Sequence, residues 1–276
     1  MTEAYIVDAV RTPMGKRGGG LSAMHPVDLS ARVMQSLVER TGVDPARVDD
    51  VIWGCVGQIG AQAWNIARNA WLSAGFPEEV PGVTIDRQCG SSQQAVHFAA
   101  QGVMAGVYDL VVAGGVEVMS LVTLNSSGEV GPDLGFRYPF DGEMWNERYG
   151  DQEIHQFRGG ELIAERWDIS RREMEELALA SHSKAARAWS EGRFDNEVIP
   201  IGECSRDEGI RETTLEKMAS LNTIREGGRL TAALSSQITD GSSALMIASE
   251  RAVEEFGLTP RARIHHMTVV GSDAVY

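Results

Sequence analysis

The sequence is poor in cysteine, in aromatic side chains and in positive charge. Its three cysteines, Cys55, Cys89 and Cys204, include no Cys-x-x-Cys pair. Such an odd set implies neither a disulfide framework nor a zinc site, and it fits a reducing compartment. Lys and Arg number 25 against 39 Asp and Glu, for a formal charge of −14. A nucleic-acid binder needs a basic face, so this balance argues against one. No apolar run reaches the roughly 20 residues of a membrane span. The opening stretch, MTEAYIVDAVRTP, has no basic segment followed by a long apolar one, so no signal peptide is expected. The expectation is a soluble cytoplasmic protein with no metal and no membrane or nucleic-acid partner.

What is present is ordinary for a globule. Of 276 residues, 43% are hydrophobic and 23% charged, and the 30 glycines point to many tight turns or close backbone approaches. AYIVDAV, VDDVIWGCVGQ, GVTIDRQ and YDLVVAGG read as strands. PVDLSARVMQSLVERT, NIARNAWLSAGF and SSQQAVHFAAQGVMAG read as helices between them. Strands alternating with helices predict an α/β domain with a largely parallel sheet. After Ser120 the pattern breaks. Residues 121–160 are rich in Gly, Pro, Asp and aromatics, and helical periodicity then returns in GELIAERWDI and SRREMEELALASHSKAARAWSEG. In the latter, Ser170 and Glu173 form a capping-box pair. Residues 195–229 read as loop. SSALMIASERAVEEFG restores a strand and a helix, and RARIHHMTVVGSDAVY opens a further strand. The organisation expected is therefore one α/β domain from residues 1–120 and 230–262, an insertion from 121–229, and the first strand of a second half at 263–276.

One cysteine stands at a corner. Cys89 in DRQCGSSQQAVHF lies between a predicted strand and a predicted helix. Unpaired N–H groups at a helix N-terminus carry roughly half a positive charge, and that setting favours thiolate. Gly90 allows a sharp turn and the close approach of another group. The residues alone leave two readings open, a nucleophile on a strand–turn–helix elbow and a small structural thiol. Cys55, in VIWGCVGQ, reads as buried on a strand.

VDAVRTPMGK, CGSSQQA, AGGVEVMS and SSQITDGSSA follow one another in this order, and together they resemble the thiolase family. The resemblance spans nearly the whole chain. NIARNAWLSAGFPEEV followed by RQCGSSQQAVHF is most similar to degradative thiolases of sterol side-chain catabolism in actinobacteria. The resemblance implies a thiolase fold, in which an N-terminal mixed-sheet α/β domain carries an inserted loop domain and a second α/β half is absent beyond its first strand. It implies that Cys89 is the acylated nucleophile for 3-oxoacyl-CoA, with coenzyme A as a substrate and no covalently bound cofactor. It also implies that the insertion binds coenzyme A. Arg211 matches a nucleotide-flanking position, Ala232 and Ser236 match pantetheine-contacting positions, and His155 matches a residue lining the pantetheine channel. A homodimer or homotetramer follows, with GVTIDRQ as the interface strand.

The sequence also departs from the family. Ser92 stands where Gly is usual, Gln93 and Gln94 replace an apolar pair, and Ala233 and Leu234 stand where Gly and Asn are common. The family's GHP, CxG and NEAF motifs do not occur after residue 90, so the nucleophile is expected without its base and the chain is expected to be inactive. Among the other histidines, His25 reads as a helix entry, His97 as a core or interface residue and His182 as part of a solvated helix face. His265 and His266 point to opposite sides of a strand. Asp240-Gly241 reads as a turn and Glu117 as a structural hydrogen-bonding group. The alternatives are a non-catalytic acyl-CoA scaffold protein, a biosynthetic acetoacetyl-CoA thiolase, and a decarboxylating condensing enzyme. The insertion argues against the last.

Overall fold

Leu110–Val118 (β5) is apolar along nearly its whole length and buried on both faces, as a strand in the middle of a covered sheet must be. Around it a seven-stranded sheet forms in the order β4-β3-β5-β6-β1-β7, with β2 added on β6. The strands are Ala4–Arg11 (β1), Gly15–Lys16 (β2), Asp50–Gly54 (β3), Gly82–Ile85 (β4), Thr239–Ser249 (β6) and Ala262–Arg263 (β7). The structure is a computed structural model describing residues 2–275.

The sheet is mixed, where the strand–helix alternation predicts a largely parallel one. β3 runs parallel to β4 and to β5, but β6 is antiparallel to β5, β1 and β2, and β7 is antiparallel to β1. The parallel pairs are those joined through crossover helices, which a parallel pair requires. β6 arrives after the long excursion that follows β5 and is free of that constraint. Asp240 and Gly241 lie within β6 and form no turn. The strand expected from RARIHHMTVVGSDAVY shrinks to Ala262–Arg263, because β1 pairs with it only at Tyr5 and Ile6.

Two apolar layers cover the sheet. On one face Leu29, Val33, Met34 and Leu37 of Pro26–Thr41 (α1) and Ile66, Ala70 and Trp71 of Ile66–Ser73 (α2) pack with Trp53, Val112 and Met246. On the other, Ala95, Ala99 and Val103 of Ser91–Met104 (α3) pack on Ile52, Val111, Ala113 and Ile247. Alternate residues of β3 and β5 face opposite layers, as strand geometry dictates. Alanines along α3 bring that helix close to the sheet. Glu250–Glu255 (α9) is capped by Ser249, whose Oγ accepts from Ala252 N.

The chain divides into two compact units. The first contains the sheet and comprises residues up to Ser127 together with Asp195–Gly209 and Ile238–Met267. Asp195–Gly209, within the span read as insertion, packs with this unit because Arg11 holds it. The Arg11 N–H donates to Glu197 O, and its guanidinium pairs with Glu197 and Asp207 at 2.7 Å each. The second unit comprises Gly128–Phe194, Ile210–Gln237 and the residues from Thr268. Short helices Ser126–Asp133 (α4) and Glu143–Tyr149 (α5) form where the sequence shows little periodicity, followed by Gln156–Arg166 (α6), Arg171–Ser190 (α7) and Leu215–Ala219 (α8). Ser170 and Glu173 make the predicted capping box at α7.

The second unit buries little apolar surface: among its described residues only Ala164 and Met218 are fully buried hydrophobics. Charged groups on backbone atoms supply much of its order. Arg171 pairs with buried Glu175 at 2.7 Å and donates to the carbonyls of Met218, Ala219 and Leu221. Glu161 accepts from the N–H groups of Arg229 and Leu230.

Candidate active site

β4 leads the chain to the cysteine corner, and the turn is made one residue before the cysteine. Gln88 has φ 46°, a left-handed conformation that costs a non-glycine residue about 1–3 kcal/mol and persists only when its surroundings impose it. Gln88 N donates to Asp86 Oδ1 at 2.6 Å. Ser91 Oγ accepts from Arg87 N at 2.9 Å and donates to Gln88 O at 2.5 Å. Gly90 N donates to Arg87 O and Ser91 N to Gln88 O. Hydrogen bonds thus clamp the chain on both sides of Cys89, whose thiol is exposed where α3 begins.

Gly90 is not what makes the turn sharp. It has φ −90° and ψ 8°, a conformation open to other residues, and a Cβ there would come no closer than 3.4 Å to Arg87 O. The glycines that matter lie beneath. A Cβ on Gly54, the last residue of β3, would stand 2.4 Å from Ser92 N and 2.5 Å from Ser91 C. One on Gly115 of β5 would stand 2.9 Å from Ser92 Cβ. The first turn of α3 therefore rests directly on the backbones of two parallel strands, and this seating fixes where the thiol points. Sequence reading found the cysteine but missed Gln88, Ser91 and Gly54. The usable signal was a glycine in each of two strands, in WGC and AGG, paired side by side where a helix must land.

Polar side chains hold the neighbouring loops. Glu117 accepts from Val56 N, Gly57 N and Gln62 Nε2, the last at 2.6 Å, which is the structural role its sequence position suggests. Asp240, fully buried, accepts from the N–H and hydroxyl of Ser120. Cys55 is 1% exposed. Burial, reinforced by the charges of Glu117 and Asp86, pushes its thiol up to about 12. Cys204 is likewise buried and pushed up, by desolvation first and then by Glu208 and Asp207.

The histidines have other positions. His25 caps α1, with Nδ1 accepting from Val27 N. His97 is buried on α3, eight residues past Cys89 and so about 12 Å along the helix axis. His155 caps α6, accepting from Phe157 N at 3.2 Å, and its ring packs against Phe157. His265 and His266 do not lie in a strand. His182 departs from the solvated helix face expected for it: it lines a cleft of about 680 Å³ together with Arg211, Glu212 and Lys217. Ile210, Thr213 and Thr214 line the same cleft.

The four residues matched to coenzyme A contacts, His155, Arg211, Ala232 and Ser236, belong to the second unit, and Cys89 belongs to the first. Arg211 and His182 share the cleft. Ala232 opens a single 3-10 turn, Ala232–Leu234, that packs on α7, the helix carrying His182. Ser236 and His155 are exposed. Among the described residues no three His, Cys, Asp or Glu side chains are grouped to hold a metal ion.

Comparison with known proteins identifies relatives of the chain. Residues 4–251 match the family described as thiolase, N-terminal domain. A steroid 3-ketoacyl-CoA thiolase of Mycobacterium tuberculosis is 58% identical over 281 residues, covering all of this chain and 69% of that protein. 3-Ketoacyl-CoA thiolases of Psychrobacter cryohalolentis and of Escherichia coli are each 39% identical, covering 99% of this chain and 70% and 71% of theirs. The crystal structure of the Bacillus anthracis acetyl-CoA acetyltransferase superposes with a TM-score of 0.80 at 38% identity, covering 95% of this chain and 69% of that one.

Proposed function

This chain belongs to the thiolase family of acyltransferases, and from that premise we propose that Cys89 is its acylated nucleophile and a 3-oxoacyl-CoA its substrate. The observation that carries the reading is the exposed thiol on a strained, hydrogen-bonded elbow at the start of α3. The Cys89 thiolate attacks the 3-oxo carbon, and the Cys89 N–H donates to the oxyanion that forms. The bond between C2 and C3 breaks, and acetyl-CoA leaves as its enolate and takes a proton. The sulfur of a second coenzyme A then attacks the acyl-cysteine carbonyl. Cys89 departs as thiolate, and the acyl chain is two carbons shorter.

Arg211 holds the nucleotide end of coenzyme A, Ala232 and Ser236 line its pantetheine arm, and His155 contacts the same arm. The protein is cytoplasmic, and β4, an edge strand, joins two copies in a homodimer. The base, second cysteine and asparagine motifs of the family are not among these 276 residues, so this chain alone turns over slowly. Loss of a general base removes ~10²–10⁴-fold in rate.

The substrate is a steroid-like acyl group. The 58% identity to a steroid 3-ketoacyl-CoA thiolase supports this, as do Phe136, Tyr138 and Met144, large apolar side chains exposed in the second unit. Incubation with a 3-oxoacyl-CoA followed by mass spectrometry should find the acyl group on the peptide containing Cys89 and none in Cys89→Ala. Acyl-CoA binding without that adduct would favour a non-catalytic scaffold instead. Protection of Cys89 from alkylation, measured with acetoacetyl-, 3-oxodecanoyl- and steroid-side-chain 3-oxoacyl-CoA, should strengthen along the series. The change should be graded, since each methylene-sized contact contributes only about 1–3 kcal/mol. Strongest protection by acetoacetyl-CoA would point to the biosynthetic reaction.

A further inference from the structure

Of the large apolar side chains described, Trp64 is the most exposed, at 92%. Its backbone holds it there. Trp64 has φ 55° and Asn65 φ 57°, two successive left-handed residues of a kind that persists only where the surroundings impose it. Those surroundings are β4 and α2. Asn65 Nδ2 donates to Gly82 O at 2.8 Å, Thr84 Oγ1 donates to Asn65 Oδ1 at 3.2 Å, and Asn69 Nδ2 donates to Trp64 O at 2.9 Å. A strained loop tied to a strand thus keeps an indole in solvent.

The hydrogen bonds of β4 say which side of the strand the loop occupies. Val51 N donates to Pro81 O and Cys55 N to Ile85 O, so the odd-numbered residues turn their backbone groups to β3. Gly82 and Thr84 turn theirs to the open edge of the sheet, where Asn65 takes the Gly82 carbonyl. The Trp64 loop therefore sits on the open edge at the start of β4. Cys89 of the same chain follows the far end of that strand, which is about 10 Å from Gly82.

Two copies related by a two-fold axis pair such an edge antiparallel, and even-numbered residues then face even-numbered residues. Centring the pair on Asp86 would set two carboxylates opposite each other, which is destabilising. Centring it on Thr84 would need the Gly82 carbonyl that Asn65 holds. Centring it on Ile85 avoids both. Thr84 then lies opposite the partner's Asp86, and Gly82 opposite the partner's Gln88, the residue before the thiol.

We propose that Trp64 of one copy walls the thiol of its partner's Cys89, so that each site is completed by the other chain. This rests on the readings of β4 as the dimer edge and of Cys89 as the nucleophile. The indole narrows the approach to the sulfur, and Trp64 selects among acyl groups by their bulk.

N-methylmaleimide and N-cyclohexylmaleimide probe this, since they share one reactive group and differ in bulk. Their labelling rates on the Cys89 peptide are measured with each protein at a concentration where sedimentation finds it dimeric. The methyl-to-cyclohexyl ratio should fall about tenfold from wild type to Trp64→Ala, the low end of what one apolar pocket contact discriminates. A changed thiolate fraction alters both rates and leaves the ratio alone. Trp64 touches little of its own chain, so Trp64→Ala should fold, and Trp64→Leu gives the same comparison should Trp64→Ala not dimerise. The deciding protein is a heterodimer of Trp64→Ala with Cys89→Ala, purified through different tags. Its one Cys89 faces a partner that carries Trp64, and the wild-type ratio should return. A ratio that stays at the Trp64→Ala value there, or that Trp64→Ala never changed, overturns the proposal and leaves the dimer standing. A wild-type monomer removes the dimer reading and this proposal with it. Absence of an acyl adduct on Cys89, with the ratio restored in the heterodimer, would remove only the nucleophile reading and leave Trp64 placed over its partner's thiol.

Discussion

At Cys55 the side chain is 1% exposed, and burial, with Glu117 and Asp86 adding negative charge, pushes the thiol up to about 12. At Cys204 the same forces act less strongly: burial comes first, then Glu208 and Asp207. Cys89 alone is open to solvent. Alkylation needs both access and thiolate, so brief exposure to iodoacetamide should label Cys89 first, Cys204 more slowly and Cys55 last. Peptide mapping against time reads the order directly. Labelling of Cys204 as fast as Cys89 would mean that the elbow does not present its thiol as described. Gln88 makes a separate point about single residues: the strain of the corner sits on the neighbour of the reactive group, where Ser91 and Asp86 can hold it.

At the scale of elements, α3 owes its position to the two glycines on which it sits. Gly54→Ala would drive a methyl group into Ser91 and Ser92 backbone atoms, which cannot yield as a flexible side chain can. A loss of about 3 kcal/mol is expected in urea unfolding, the upper part of the usual range for overpacking, together with slower alkylation of Cys89. Gly90→Ala should cost under about 1 kcal/mol, since its conformation is ordinary and a Cβ would meet nothing closer than ordinary contact. Equal losses from the two would remove the argument for seating. The joint between β5 and α9 offers a pH test. Asp109 accepts from Ser249 Oγ at 2.6 Å and from Arg251, and its carboxyl is held below the ordinary value by Arg251 first and Ser249 second. A depressed carboxylate stabilises the fold above its unfolded value and loses that contribution as pH falls. Asp109→Asn should therefore flatten the decline of stability between about pH 5 and pH 3. A slope equal to that of the wild type would show that this pair contributes nothing measurable.

For the whole molecule, the order of the sheet leaves β4 at one edge, with Val83 on it 42% exposed. An open edge carrying apolar side chains invites pairing with another strand, and pairing with a second copy removes the hazard. Sedimentation at micromolar concentration should find a dimer that Val83→Lys weakens. A monodisperse monomer of the unaltered chain would rule the dimer out. The net charge of −14 acts at this scale as well. It repels an anionic ligand at long range, so added salt should speed association of coenzyme A rather than slow it, and Arg211 and Lys217 act only once the ligand is close.

The sequence by itself determined the strand-and-helix order of the first unit, the placement of Cys89 between β4 and α3, and the caps at His25 and Ser170. These are local: a period of two or 3.6 records which face is buried, and a cap is completed within four residues. It did not determine that β6 runs antiparallel to β5, because that pairing joins residues about 130 positions apart and leaves no periodic trace. Nor did it show that Gln88 takes the strain while Gly90 does not, since that depends on Ser91 and on the strands below. His182 illustrates the same limit. On the helix alone its neighbours make it a solvated residue, and only the fold brings Ile210 to Thr214 to the same cleft, about 30 residues on in the chain. Burial and the approach of distant charges set a side chain's chemistry, and only the tertiary structure decides both.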